Sequence, residues 1–243
     1  MSSPSPSDDA HPALPGPAPG AWTLVGGLVA AHAVSGAWLV RAGEASAWSA
    51  WLGERTVRAR IRVGGRYGPL VDAEPWRLLT SPALHVDAVH LGVNGLALGV
   101  VGRWLEPVVG ASRLVGLAVV GGVLGGVASH AVGVPYSDGA SGALSAWLGA
   151  AAVWGRRADH RKRLGADIWR GPLAMVAAIN VGVAMAVPGL DAAAHLVGTA
   201  VGSGWALVDR GARPVRWPWA VGALWALGAA AGWLGWLDGV GLR

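Results

Sequence analysis

Long apolar runs limit most strongly what this chain can fold into. They lie near 21–40, 87–105, 112–132, 140–155, 170–187, 191–209 and 217–238, and they carry few charges. A helix needs about 20 apolar residues to cross a bilayer. Seven candidate spans therefore predict an all-α, polytopic membrane protein. A soluble domain with only 14% charged residues would be unusual. The runs are continuous and rich in Ala, Gly, Leu and Val, without the alternation of a membrane barrel. The chain has no cysteine, so disulfides and thiol chemistry are excluded.

Between the spans, charge predicts orientation. Arg156, Arg157, Arg161, Lys162 and Arg163 crowd one short loop, and Arg210, Arg213 and Arg216 another. Short basic loops face the cytoplasm. Counting spans then puts the N-terminus inside and the C-terminus outside. The net charge of +5 is explained by these loops, so no nucleic acid is expected as a partner; the lipid bilayer is. Residues 1–20 are rich in Ser, Pro and Ala and lack a basic leader segment. They are expected to form a disordered tail. The stretch 41–86 is too polar to span. Trp48 and Trp51 stand there among Arg55, Arg58, Arg60, Arg62 and Arg66, a pattern that suits a long external segment lying in the interface. An ordinary solvated loop is the plainer alternative. The Ala and Gly bias suggests a GC-rich bacterial genome, hence an inner-membrane location.

Polar residues inside such spans are functional candidates by default. Ser141 opens the fourth span in Gly139-Ala140-Ser141-Gly142 and precedes Arg156 by fifteen positions; His195 precedes Arg210 by fifteen. At 1.5 Å per residue each lies about 22 Å above the cytoplasmic edge, roughly 8 Å below the outer surface of a 30 Å core. His90 and Asn94 precede Arg103 on the second span. They fall at about 20 Å and 14 Å, and their i, i+4 spacing shares one helix face. Four polar residues from three helices thus occupy one layer.

That layer permits acyl chemistry. A serine hydroxyl becomes a nucleophile when a neutral imidazole takes its proton, which makes His195 the candidate base for Ser141. Asn94, His90 and the Ser141 amide offer donors for an oxyanion. Duller readings exist for each. Ser141 could cap its helix, and His195 and Asn94 could be interhelical packing groups. Gly198 and Gly202 form a Gly-x-x-x-Gly pair that suits a packing seam. It would also let the sixth span approach the fourth. Asp191, one turn before His195, could hydrogen-bond the ring in a triad-like geometry, or simply be solvated. Gly121, Gly122, Gly125 and Gly126 suit close packing of the third span. His130 near its outer end reads as a satisfied interfacial residue. No cofactor is expected, and no metal, since no ligand pair shows convincing spacing.

In this order the residues resemble the rhomboid family of intramembrane serine proteases, over about Glu74 to Trp205. Glu74-Pro75-Trp76-Arg77 looks like the family's Trp-Arg segment. His85 and His90-Leu91-Gly92-Val93-Asn94 look like its following histidine and His-x-x-x-Asn motif. Gly102-Arg103-Trp104-Leu105-Glu106 with Gly110 resembles its Gly-x-x-x-Glu. Gly139-Ala140-Ser141-Gly142 matches the nucleophile motif, and Ala194-His195-Leu196-Val197-Gly198 with Gly202 the base-bearing helix.

The resemblance implies a six-helix core with Ser141 and His195 as a catalytic dyad. His90, Asn94 and the Ser141 amide would form the oxyanion site, with structural or packing roles for Trp76, Arg77, Gly102, Glu106, Gly139, Gly142, Gly198 and Gly202. It also implies membrane-anchored protein substrates cut in or near a transmembrane segment. The expected division is a tail over 1–20, a catalytic domain over 21–209, and a cytoplasmic linker with the extra, seventh helix over 210–243. One position departs from the pattern. Many rhomboids carry an aromatic residue four places after the nucleophile, packed on the histidine; here it is Ser145, and Trp147 points elsewhere on a helix. The alternative is therefore a catalytically weak or inactive rhomboid-like protein that binds membrane clients. A transporter or channel is disfavoured, because no repeat or intramembrane charge cluster is evident.

Overall fold

Six helices of fourteen or more residues occur among the residues that the computed structural model describes, which are 16–157, 171–186 and 191–209. In chain order these are α1 (Pro19–Arg41), α6 (Ala88–Val109), α7 (Ala111–Ala131), α8 (Ser141–Trp154), α9 (Pro172–Ala186) and α10 (Ala192–Val208). By length and composition α1, α6 and α7 can each cross a membrane unaided. With 14 residues α8 is only about 21 Å long, so it cannot reach both faces of a 30 Å core. The expected span at 217–238 and the basic loop at 158–163 lie outside the described residues.

Between α1 and α6 come α2 (Ala47–Trp51), α3 (Val57–Arg62), β1 (Arg66–Tyr67), α4 (Gly68–Val71), α5 (Arg77–Thr80) and a 3-10 turn at Ser81–Ala83. A second short strand, β2 (Tyr136–Ser137), pairs antiparallel with β1.

Local chemistry sets the ends of these elements. Ser46, Thr56 and Asp87 cap α2, α3 and α6 by accepting the N–H groups of Ser49, Ala59 and His90 at 3.1, 3.1 and 2.6 Å. Gly110, with φ of +88°, makes the turn from α6 into α7, a conformation that a side chain disfavours. The start of α1 is completed from a distance. Glu106 accepts the Gly20 and Ala21 N–H groups at 2.9 and 2.8 Å, two of the amides that a helix start leaves bare.

The core joins α1, α6, α7, α8 and α10 around Leu98, Leu105, Leu114, Leu117, Trp147 and Trp154, none measurably exposed. Close approach is bought with small residues. A methyl group at Gly102 would collide with Ala21, at Gly198 with the Gly142 carbonyl, at Gly202 with the Ala146 carbonyl, and at Gly149 with the Thr199 carbonyl. Backbones of α8 and α10 therefore touch along their length.

The segment 41–86 is more folded than its composition suggests. Trp48 and Trp51 are exposed, but Arg55, Arg66 and Arg77 are each 1% exposed. Arg55 donates to the carbonyls of His32 and Ala50 at 2.8 and 2.7 Å and to the Ser35 hydroxyl at 2.9 Å, tying the loop to α1. Arg77 donates to Glu74 at 2.6 Å and to the Ile61 and Gly65 carbonyls at 2.8 and 2.9 Å. Its guanidinium lies 4.8 Å from the Trp76 ring centre. Carbonyls brought in from distant sequence make these burials tolerable, which composition alone does not reveal.

Candidate active site

The loop that leads into α8 is pinned to the 41–86 segment almost residue by residue. Arg66 donates from its side chain to the Val134 carbonyl at 3.0 Å, and the Gly68 N–H to Pro135 at 2.9 Å. Arg66 pairs with Ser137 and Tyr67 with Tyr136, whose rings stack at 5.0 Å. Asp138 accepts the Arg66 backbone N–H at 3.0 Å and the Arg60 guanidinium at 3.3 Å. Gly139 donates to the Ser81 carbonyl at 3.0 Å and the Ala140 N–H to His85 Nε2 at 3.4 Å.

Gly139 is constrained twice. Its φ is +119°, and a Cβ there would come within 2.7 Å of the His90 ring. His90 therefore packs directly on the loop that carries Ser141.

Ser141 is the first residue of α8, the capping position belongs to Ala140, and no side chain caps that helix. The plain reading of Ser141 as a cap is thus not what its geometry shows. Its own N–H and those of Gly142 and Ala143 sit in the first turn, where amides have no carbonyl of their own helix to bond.

Opposite lies α10. The position of a Gly142 Cβ is 3.7 Å from the Ala194 carbonyl, and the Gly142 carbonyl lies against Gly198. The residue after Ser141 therefore meets the residue before His195. His195 is 8% exposed, and neither ring nitrogen has a hydrogen-bond partner among the described residues. Ser141 and His195 thus belong to the two elements that meet at this contact, and no hydrogen bond joins the ring to Ser141.

The triad-like role considered for Asp191 is not seen. One carboxylate oxygen accepts the Ala194 N–H at 3.0 Å and the other takes the Ser129 hydroxyl. The carboxylate is occupied as the N-cap of α10 and makes no hydrogen bond to the ring.

On α6, Asn94 is buried and donates to the His90 carbonyl at 3.0 Å. His90 Nδ1 is buried without a partner among the described residues. The His85 and His90 rings meet edge to face at 5.0 Å. Burial, with the neighbouring His90, His32 and Arg55 adding to it, pushes the His85 ring down to about 3. It is a neutral acceptor for Ala140.

Other residues fall around this centre. Trp147 donates to the Leu114 carbonyl at 2.8 Å, away from the α8–α10 seam. The Ser145 hydroxyl donates to Asn180 of α9 at 3.1 Å, and its Cβ is 3.2 Å from where a Gly198 Cβ would be. His130 meets Asp72 at 3.0 Å. Among the described residues no three acidic or histidine side chains converge to hold a metal. Asp138, Ser129 and Asn180 were not foreseen. An amide or a carboxylate within or beside an apolar run was the available signal.

Known proteins share much of this sequence. A family model described as the Rhomboid domain matches residues 72–211, more than half of the chain. Rhomboid protease GluP of Bacillus subtilis (strain 168) is 31% identical over 149 residues, which cover 60% of this chain and 28% of that protein. Rhomboid protease GlpG of Enterobacter sp. (strain 638) is 27% identical over 154 residues, 63% of this chain and 55% of the relative. GlpG of Klebsiella pneumoniae (strain 342) is 28% identical over 145 residues, 59% and 51%. The match therefore spans about a quarter of GluP and about half of each GlpG. The matched segment contains the Ser141 loop, the His90–Asn94 face and the helix of His195, and the apolar helices make this an integral membrane protein of all-α build. The chain belongs to the rhomboid family, whose relatives named here are proteases.

Proposed function

We propose that the chain is an intramembrane serine endopeptidase in which Ser141 is the nucleophile and His195 its general base. The observation that supports this is the backbone contact of α8 with α10 at Gly142 and Gly198, beside a buried His195 ring whose nitrogens have no partner among the described residues. Ser141 Oγ attacks the carbonyl carbon of a peptide bond while its proton passes to His195. The oxygen of the tetrahedral intermediate takes its negative charge beside the Ser141 N–H, the Asn94 amide and the His90 ring N–H. His195 then returns the proton to the departing amine, and water hydrolyses the acyl group by the same steps in reverse.

The substrates proposed are membrane-anchored proteins cut in or near a transmembrane segment. The catalytic domain is taken as 21–209, with 41–86 outside the membrane, the N-terminus in the cytoplasm and an extra helix following residue 210. In a bacterial cell this means the inner membrane. Gly102, Glu106, Gly139, Gly142, Gly198 and Gly202 act by packing, and Trp76 with Arg77 by closing the outer segment.

A second reading, a weak or inactive member that holds membrane clients, draws on one observation. Ser145 is bonded to Asn180, so nothing aromatic from that position stacks on His195. Purified protein mixed with a model transmembrane substrate decides between them, together with a fluorophosphonate that labels activated serines. Cleavage and labelling that vanish in Ser141→Ala and His195→Ala are expected. Cleavage that survives both substitutions refutes the assignments, and absence of labelling in the unaltered protein favours the second reading.

A further inference from the structure

Buried charges lie beneath the Ser141 loop, outside the reacting residues. Asp138 lies three residues before Ser141, and its side chain is 4% exposed. One oxygen meets the Arg60 guanidinium at 3.3 Å and the other accepts the Arg66 N–H at 3.0 Å. Room for it exists because position 65 lacks a side chain; a Cβ on Gly65 would stand 2.9 Å from the Asp138 oxygen.

A carboxylate this buried is expensive, and a small polar residue could accept the same backbone N–H. Burial does push the Asp138 carboxyl up, opposed by Arg60, the Arg66 N–H, and the charges of Arg66 and Arg77. Asp138 answers a local excess of cation. Arg66 is 1% exposed, and its Nε and Nη2, with Arg60 Nε, have no partner among the described residues. Removing the carboxylate would strand those guanidinium groups without their counter-charge. It would also free the one side chain that anchors the loop between the β1–β2 ladder and Gly139.

We propose that Asp138 is a positioning residue for Ser141, clamping the nucleophile loop onto the Arg60–Arg66 stretch of the outer segment so that this segment sets how well the serine is aimed. The inference rests on the protease reading above. Arg60 and the Arg66 N–H hold Asp138, Ser81 holds Gly139, and His85 holds Ala140. Each residue from 138 to 140 thus has its own tether outside the membrane-spanning helices, and Ser141 follows with little freedom left. A displacement of about 1 Å at a reacting atom costs on the order of 100-fold in rate.

The test uses the full chain in detergent, comparing the unaltered protein with Asp138→Ala, Asp138→Asn and Arg60→Ala. Turnover is expressed per serine titrated to completion with fluorophosphonate, so misfolded molecules are not counted. For Asp138→Ala, kcat per labelled site is expected to fall about 10- to 100-fold with KM within about 3-fold, and the labelling rate to fall in parallel. Asp138→Asn keeps an acceptor for the Arg66 N–H but loses the counter-charge to Arg60, and is expected to recover only part of the loss. Arg60→Ala, which leaves that acceptor in place, is expected to fall between the two and serves if Asp138→Ala does not fold. Unchanged kcat per labelled site in Asp138→Ala, or in Arg60→Ala where that variant stands in, overturns the proposal. So does a change confined to KM. If the unaltered protein neither cleaves nor labels, the protease reading has failed first and this inference goes with it.

Discussion

Gly202 lies so close under the carbonyl oxygen of Ala146 that no side chain fits between α10 and α8. On the same helix, two residues further, nothing stands within 4 Å of where a Gly204 Cβ would be. Gly202→Ala must push the helices apart, at a cost of about 1–3 kcal/mol and occasionally more, and it should cut cleavage at least about 10-fold by withdrawing His195. Gly204→Ala should leave activity intact and raise stability by up to about 1 kcal/mol, because alanine is the better helix former. Thermal unfolding and initial rates measured side by side check both. Equal effects of the two substitutions would contradict the seam.

Glu106 is the acceptor for two backbone amides at the head of α1. A carboxylate there also faces the positive end of the helix. Glu106→Ala should destabilise by about 1–3 kcal/mol, since it orphans two buried donors. Glu106→Gln, which keeps one good acceptor, should lose less. Hydrogen exchange at Gly20 and Ala21 should rise in the alanine variant before exchange in α7 changes.

His85 gives a pH dependence with a definite sign. Burial above all, with His90, His32 and Arg55 nearby, pushes its ring down from the ordinary 6.5 to about 3. Between these values the unfolded chain binds a proton that the folded chain refuses. Stability from this group is complete above about pH 6.5 and is lost as pH falls toward 3, by up to about 1.4 kcal/mol per pH unit. Chemical unfolding at pH 7 and pH 5 should show a steeper loss for the unaltered protein than for His85→Asn. Identical slopes would count against the buried neutral ring.

The Ser145–Asn180 hydrogen bond joins α8 to α9. Interhelical bonds of this kind average about 0.6 kcal/mol and reach about 1.7. Ser145→Ala and Asn180→Ala should each cost about that much, and the double variant no more than the worse single one. A double-mutant cycle on the melting transition gives the coupling directly. Additive losses would mean the two side chains do not act as a pair.

Much of the fold is legible because lipid imposes length and apolarity on each span. Ser141, His195, His90 and Asn94 stood out in the sequence as polar groups within apolar runs. Arg55, Arg66 and Arg77 were not readable as buried, because their acceptors are carbonyls and hydroxyls supplied by folding. Asp191 was misjudged for a related reason. Its position near His195 was clear, but Ser129, sixty-two residues earlier, takes the oxygen that a triad would need. Asp138 was passed over because its partners Arg60 and Arg66 are more than seventy residues away.

Gly20 and Ala21 are separated from Glu106 by 86 and 85 residues. At about 5–20 residues per second, a ribosome needs on the order of 4–17 seconds to cover that distance. Throughout this interval the leading amides of α1 lack that carboxylate, so water or other acceptors have to serve them until α6 delivers it. Formation of the first helix and the completion of its first turn are thus separate events in the life of the nascent chain.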